Sequence, residues 1–230
     1  MRLSSKSKII MMAFAIAIIA AAVTWAQRGG GALGGRRGVP DWQLDNEMPR
    51  DVFTFVRIKY SNNFGRRGGG WATDYPDADL NFSYRLKELT SLKVHPNGVV
   101  IELTDPKLFD YPFIYIIEPG RLWFSDEEVK ALRKYLLNGG FLMVDDFWGG
   151  DEYDNFAREM KRVFPNREPK ELPLEHPIFH SVFDLKEKPQ LPSIGQAMNG
   201  QNYEWRPGPD DGSEVHYKGI FDDKDRMMVI

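Results

Sequence analysis

The chain has 230 residues and no cysteine, 42% of its residues are hydrophobic, and its formal net charge is −3. Without cysteine there is no disulfide, no thiolate nucleophile and no cysteine metal site, so stability rests on burial. The acidic balance argues against nucleic acid as a partner, and it steepens to 27 basic against 33 acidic residues, a net of −6, once the three basic residues of the amino-terminal segment are set aside.

That segment, residues 1–26, has the build of a secretory signal: Arg2, Lys6 and Lys8 precede an apolar run from Ile9 to Val23, and Thr24-Trp25-Ala26 supplies a small-x-small cleavage site. Cleavage starts the mature chain at Gln27. Left uncleaved, residues 9–25 form a membrane anchor, although their apolar run falls short of the roughly 20 residues that span a bilayer. Both readings place the folded part outside the cytoplasm, periplasmic or extracellular. Residues 27–50, with RGGGALGGRRG, hold too few apolar side chains to offset the entropy of ordering and read as a flexible linker. A single α/β domain is expected over residues 51–230.

The domain opens with VFTFVRIKY, Val52 to Tyr60, whose β-branched and aromatic content suits a strand. GRRGGG, Gly65 to Gly70, reads as a mobile loop; it lacks the Gly-Lys-Ser/Thr ending of a phosphate loop. Pro76 and Asp77 start a helix that runs to about Leu89. Val99–Leu103 and Tyr111–Ile117 read as strands. Ser125 and Glu128 make a capping box, Val129, Leu132 and Leu136 repeat at helical spacing, and Gly139-Gly140 stops the helix. Phe141 to Val144 is apolar on both faces, as a central parallel strand must be, and gives way to Asp145 and Asp146. A further helix is predicted from about Tyr153 to Val163, stopped by Pro165. Prolines at 169, 173, 177, 189, 192, 207 and 209 predict long surface connections, and residues 219–230 a hairpin. An apolar final strand with nothing to cover it suggests a domain truncated at its carboxyl end. Alternating strands and helices predict a three-layer, doubly wound, mainly parallel sheet. In such sheets ligands bind at the carboxyl ends of the strands.

The candidate residues are therefore those at strand ends. Asp145 and Asp146 alternate in direction if they extend the strand, so one faces the mouth of the sheet and the other caps a helix; alternatively both are capping or solvated groups. His176, stiffened by Pro177, is a ligand, a base, or a histidine hydrogen-bonded within a proline-rich loop. Arg57, near the end of an apolar strand, needs an anionic ligand or a carboxylate partner such as Asp74 or Asp146. Tyr60 lies beside it. Trp71, Tyr75, Trp123 and Trp148 place aromatic rings in loops, lining a cleft or covering a core. Asp74, Asp145, Asp146 and His176 are the set a metal would use, but no HxxE or EF-hand spacing supports it, so no metal or other cofactor is predicted. A Gly-x-Ser-x-Gly elbow is missing.

The combination RIKY, WATDYPDADLNFSYRLKELT, TDPKLFDYPFIYIIEPG, WFSDEEVKALRKYLLNGGFLMVDDFWG and LEHPIFHSVFDL resembles the domain of unknown function 4159 family of bacterial exported or membrane-associated proteins, from Phe53 to Ile230. The resemblance implies a flavodoxin-like fold, a divergent branch of the class I glutamine-amidotransferase-like proteins, and no established activity. It also implies an Asn-x-Asp-x-Gly-Asp-x-Trp segment and a closing helix past the equivalent of Met228. Amidotransferases of that class carry a nucleophilic cysteine at the turn after the strand that FLMV resembles; Asp145 and Asp146 stand there, which excludes glutaminase chemistry. The reading that follows is an exported, non-catalytic module binding an unknown ligand or cell-envelope protein through Arg57, Tyr60, Trp71, Asp74, Asp145, Asp146 and Trp148. Contact with the membrane is expected only through an uncleaved anchor. The alternatives are a metal-assisted hydrolase of cell-envelope sugars or peptides using Asp145, Asp146 and His176, and a structural module of a membrane-bound assembly.

Overall fold

A computed structural model describes residues 36, 38–44, 51–62 and 70–230. The expected signal at 1–26, most of the expected linker and residues 65–69 of the glycine loop lie outside the described residues. The chain divides into two compact units, residues 1–42 and 43–230. In the first, the described residues make a turn in which the Val39 amide donates to the Arg36 carbonyl at 2.9 Å. Among the described residues no helix is long and apolar enough to cross a membrane.

The second unit is an α/β domain. Its strands are β1 (Val56–Ile58), β2 (Ser61–Asn62), β3 (Val99–Ile101), β4 (Phe113–Ile117), β5 (Leu122–Trp123), β6 (Phe141–Asp145), β7 (Lys170–Glu171), β8 (Lys218–Phe221) and β9 (Met227–Val229). Its helices are α1 (Asp77–Leu89), α2 (Asp126–Leu137), α3 (Gly149–Val163) and α4 (Ile194–Met198). Seven strands form one sheet in the order β3-β1-β4-β6-β9-β8-β7, and β2 pairs with β5 outside it. Pairing is parallel from β3 to β9 and antiparallel from β9 to β7. This mostly parallel order, with β1 between β3 and β4, is consistent with a flavodoxin-like sheet.

Side chains of alternate parity sort into two clusters, as the period of two in a strand requires. Val56, Ile58, Ile114, Ile116, Leu142 and Val144 pack with Leu132 and Leu136 of α2 and Phe156, Met160 and Val163 of α3. Phe55, Tyr115 and Ile117 pack with Phe53, Phe82 of α1, Phe113 and Met143. β6 is less uniformly covered than the apolar run predicts: Leu142 and Val144 are buried, whereas Phe141, Met143 and Asp145 are half-buried. The strand predicted over 52–60 is also interrupted, with Phe53 bridging Val94 before β1 begins at Val56.

Local chemistry explains the helix ends. Ser125 and Glu128 form both hydrogen bonds of a capping box on α2. Gly139, at φ 107°, takes the left-handed turn that ends it. α3 starts one turn earlier than the sequence suggests, at Gly149, because one local and one tertiary partner cap it: the carboxylate of Glu152, four residues on, accepts from the Trp148 amide at 2.9 Å, and the Asp210 carbonyl accepts from the Gly150 amide at 3.3 Å.

Beyond α3 the chain direction matters most. β7 is antiparallel to β8, and β8 to β9, so β7 runs the same way as β6. Residues 172–217 therefore leave and re-enter the sheet at its carboxyl side. The predicted hairpin is formed by β8 and β9.

Candidate functional site

Strand order reverses between β1 and β4, with β3 on one side and β6 on the other, and the crevice past their carboxyl ends is where open α/β sheets take ligands. Three short connections meet there. The Tyr60 hydroxyl, two residues past β1, lies 2.8 Å from the carbonyls of both Ile117 and Glu118 and so ties β1 to the end of β4. The Glu118 amide donates to the Asp145 carbonyl at 3.1 Å, joining β4 to β6. Glu118 and Asp146 then leave their strands in left-handed conformations, at φ 48° and 58°.

The third connection, residues 70–76, is placed by Arg57. This side chain is fully buried and pairs with Asp79 of α1, its Nη2 2.5 Å from Oδ1 and its Nε 2.9 Å from the same oxygen. Its Nη1 donates to the carbonyls of Trp71 and Thr73 at 2.9 and 3.1 Å. The carboxylate partner is thus neither Asp74 nor Asp146, and Arg57 acts through the segment it holds instead of meeting a ligand itself. Asp74 follows at φ 54°, with its side chain exposed. Gly70 is needed for close approach, since a Cβ there would fall 2.6 Å from Glu118 Oε2 and 2.8 Å from the Tyr60 hydroxyl. Trp71 packs against the core with its ring 6.3 Å from that of exposed Tyr75.

The carboxyls at these strand ends are unevenly buried: Glu118 and Asp145 are half-buried, whereas Asp74 and Asp146 are exposed. Burial, with help from Asp146 and Asp74, pushes the Asp145 carboxyl up to about 6, against the pull of the Tyr115 hydroxyl, which donates to its Oδ1 at 2.5 Å. Asp146 is raised by desolvation and by Asp74, Glu204 and Glu152, although its Oδ1 accepts from the Trp148 indole at 3.3 Å. Glu118 is raised by desolvation and then by Asp146 and Glu152, with Thr73 and Arg121 opposing. The Tyr60 and Tyr115 hydroxyls are raised mainly by burial.

Residues 172–217 complete the crevice, which sequence reasoning did not foresee. Arg206 donates to Glu152 of α3 at 2.8 Å and lies 3.4 Å from Glu204. Trp148 is not an open cleft ring: it is 8% exposed, with Gly212 packed against it. Tyr217 is raised by burial and by the charge of Asp145. The signal that could have found this lining was the direction of β7, since a strand parallel to β6 delivers whatever follows it to the same end of the sheet.

His176 stays apart from this chemistry. It caps the short helical turn Pro177–His180, its Nδ1 accepting from the Ile178 amide at 3.3 Å. His180 is exposed, bonded to Asp184 at 2.6 Å and to the Leu174 carbonyl at 2.8 Å. Among the described residues no group of three or more His, Asp or Glu is arranged to hold a metal ion, so Asp74, Asp145, Asp146 and His176 do not form the ligand set that was considered. No curated protein matches the chain. A protein-family profile for a domain of unknown function, DUF4159, matches residues 54–230, and the chain belongs to that family.

Proposed function

We propose that the domain is a non-catalytic binding module that takes a cationic ligand group in the crevice at the carboxyl ends of β1, β4 and β6. The observation that carries this is the backbone: Asp74, Glu118 and Asp146, three of the four non-glycine residues with positive φ among those described, turn the chain in three different connections past the carboxyl ends of the strands. Aspartate visits the left-handed region at modest cost, but glutamate rarely does, and such conformations persist where surrounding structure enforces them. Here they bring carboxylates together: the charge of Asp146 raises Glu118, and the charge of Asp74 raises Asp146. A cation relieves that repulsion on binding.

On this reading the fold is a three-layer flavodoxin-like sandwich, related in shape to class I glutamine amidotransferases, with Asp145 and Asp146 where those enzymes hold their nucleophile. The protein works outside the cytoplasm, and the ligand is a cell-envelope molecule or protein. Isothermal titration with tetralysine amide tests it. Binding is expected to fall about tenfold in Asp146→Asn and again in Glu118→Gln, one charge contact each, about 1.4 kcal/mol. Equal affinity for wild type and the double variant would overturn it.

A further inference from the structure

We propose that residues 191–205, on the carboxyl side of the sheet, dock a basic amphipathic segment of another protein, which lays apolar side chains on Leu191, Ile194, Met198 and Trp205 and sends lysine or arginine side chains into the carboxylate crevice alongside. This rests on the cationic reading of that crevice and names its ligand class. Leu191, Ile194 and Met198 are 86%, 80% and 83% exposed, and Trp205 is 62% exposed. Single exposed apolar residues are ordinary on a protein surface; these four belong to one short stretch. Ile194 and Met198 stand one turn apart on α4, and Leu191 lies three residues before Ile194 in the non-helical segment that leads into it, so an apolar strip is offered to the apolar face of a partner helix.

Charge decides what kind of partner fits. Glu204 accepts from the Ser193 amide, at the start of α4, at 3.0 Å, and the same carboxylate raises Asp146. The apolar row and the acidic crevice therefore meet at Glu204, next to Trp205. A surface that is apolar on one side and carboxylate-lined on the other complements a helix with an apolar face and a basic edge. It repels nucleic acid and an anionic lipid surface alike.

The test uses the full chain and two probes: tetralysine amide, and an 18-residue leucine–lysine peptide with leucines at i, i+3, i+4 and i+7. The longer peptide is expected to bind at least tenfold more tightly than tetralysine. Leu191→Ser/Ile194→Ser/Met198→Ser should abolish that advantage and leave tetralysine binding unchanged, because these side chains lie in solvent and their loss does not touch the core. Met198→Lys alone should also weaken the longer peptide, by repulsion. Equal affinity of wild type and the triple variant for the longer peptide would overturn the docking surface while leaving the crevice reading intact. Failure of tetralysine to bind wild type would remove the crevice reading itself, and the proposal with it. Adsorption of wild type, but not the triple variant, to phosphatidylcholine or phosphatidylglycerol vesicles would assign the apolar row to lipid and overturn the proposal.

Discussion

Arg57 and Asp145 lie along one face of the sheet, linked through Tyr115, whose ring stacks under the guanidinium at 5.0 Å and whose hydroxyl reaches the carboxylate. Their burial is resolved differently. Arg57 has a full carboxylate partner in Asp79, so Asp79→Ala strands a buried cation and is expected to cost about 3–5 kcal/mol in urea unfolding. Asp145 has a hydroxyl but no ion pair, and its pKa rises from 3.8 to about 6. A carboxylate with a raised folded-state pKa contributes stability below its unfolded value and loses it as pH rises through the folded one. Ionised at pH 8, Asp145 thus costs the fold on the order of 2–3 kcal/mol. Asp145→Asn, which keeps an acceptor for Tyr115, should raise the melting temperature at pH 8. The gain should shrink as pH falls through 6 and vanish below about 4; a gain independent of pH would show that the charge is not its source. A residue that costs the fold stability fits the binding role proposed for these strand ends.

At the scale of elements, what was legible in the sequence was what neighbours along the chain decide. The Ser125–Glu128 box, the Gly139 stop and the apolar run of β6 are each set within a few residues, and each stands where the spacing put it. Ser125→Ala should lower stability by about 1 kcal/mol in denaturant titration, and Glu128→Gln by less, since the amide oxygen still accepts from the Ser125 amide. Loss of both hydrogen bonds with no change in stability would mean α2 is held by its apolar face alone. What was illegible depended on distant partners. Arg57 announced a need for a carboxylate, but the partners the sequence suggested were Asp74 and Asp146, and Asp79, 22 residues away on α1, was not among them. The first turn of α3 is held in part by the Asp210 carbonyl, some sixty residues on, which joins the nearby Glu152 carboxylate in capping it. His176 was open to reading as a ligand, a base or a loop-bonded histidine, and its bond to the Ile178 amide is the loop role.

For the domain as a whole, the strand directions divide the second unit into a well-packed sheet and a loosely held excursion. Ile114, Ile116, Leu142 and Val229 are at most 1% exposed, whereas between residues 172 and 217 only Leu172 and Phe179 are buried hydrophobic residues. Proline-rich sequence predicted surface connections there, and that much is observed; that they converge on the acidic crevice follows from a two-residue strand no periodicity could orient. Local opening free energy follows apolar burial, so native-state hydrogen exchange should separate the two regions. Amides of β4 and β6 are expected to exchange only by global unfolding, and those of residues 194–214 orders of magnitude faster. The slower amides within that stretch should be those that donate hydrogen bonds: Ala197, Asn199, Gly200 and Gln201 around α4, and Arg206, Gly212 and Ser213, which bond to the Asp211 carbonyl, the Asp210 carboxylate and the Asp211 carboxylate. A ligand seated between the crevice and α4 should slow exchange in residues 191–205 and, because it stabilises the folded state, slow the globally exchanging amides of β4 and β6 as well. Uniform protection of the excursion in the free protein would mean that it is a rigid wall of the domain, and that binding there draws on no ordering of the chain.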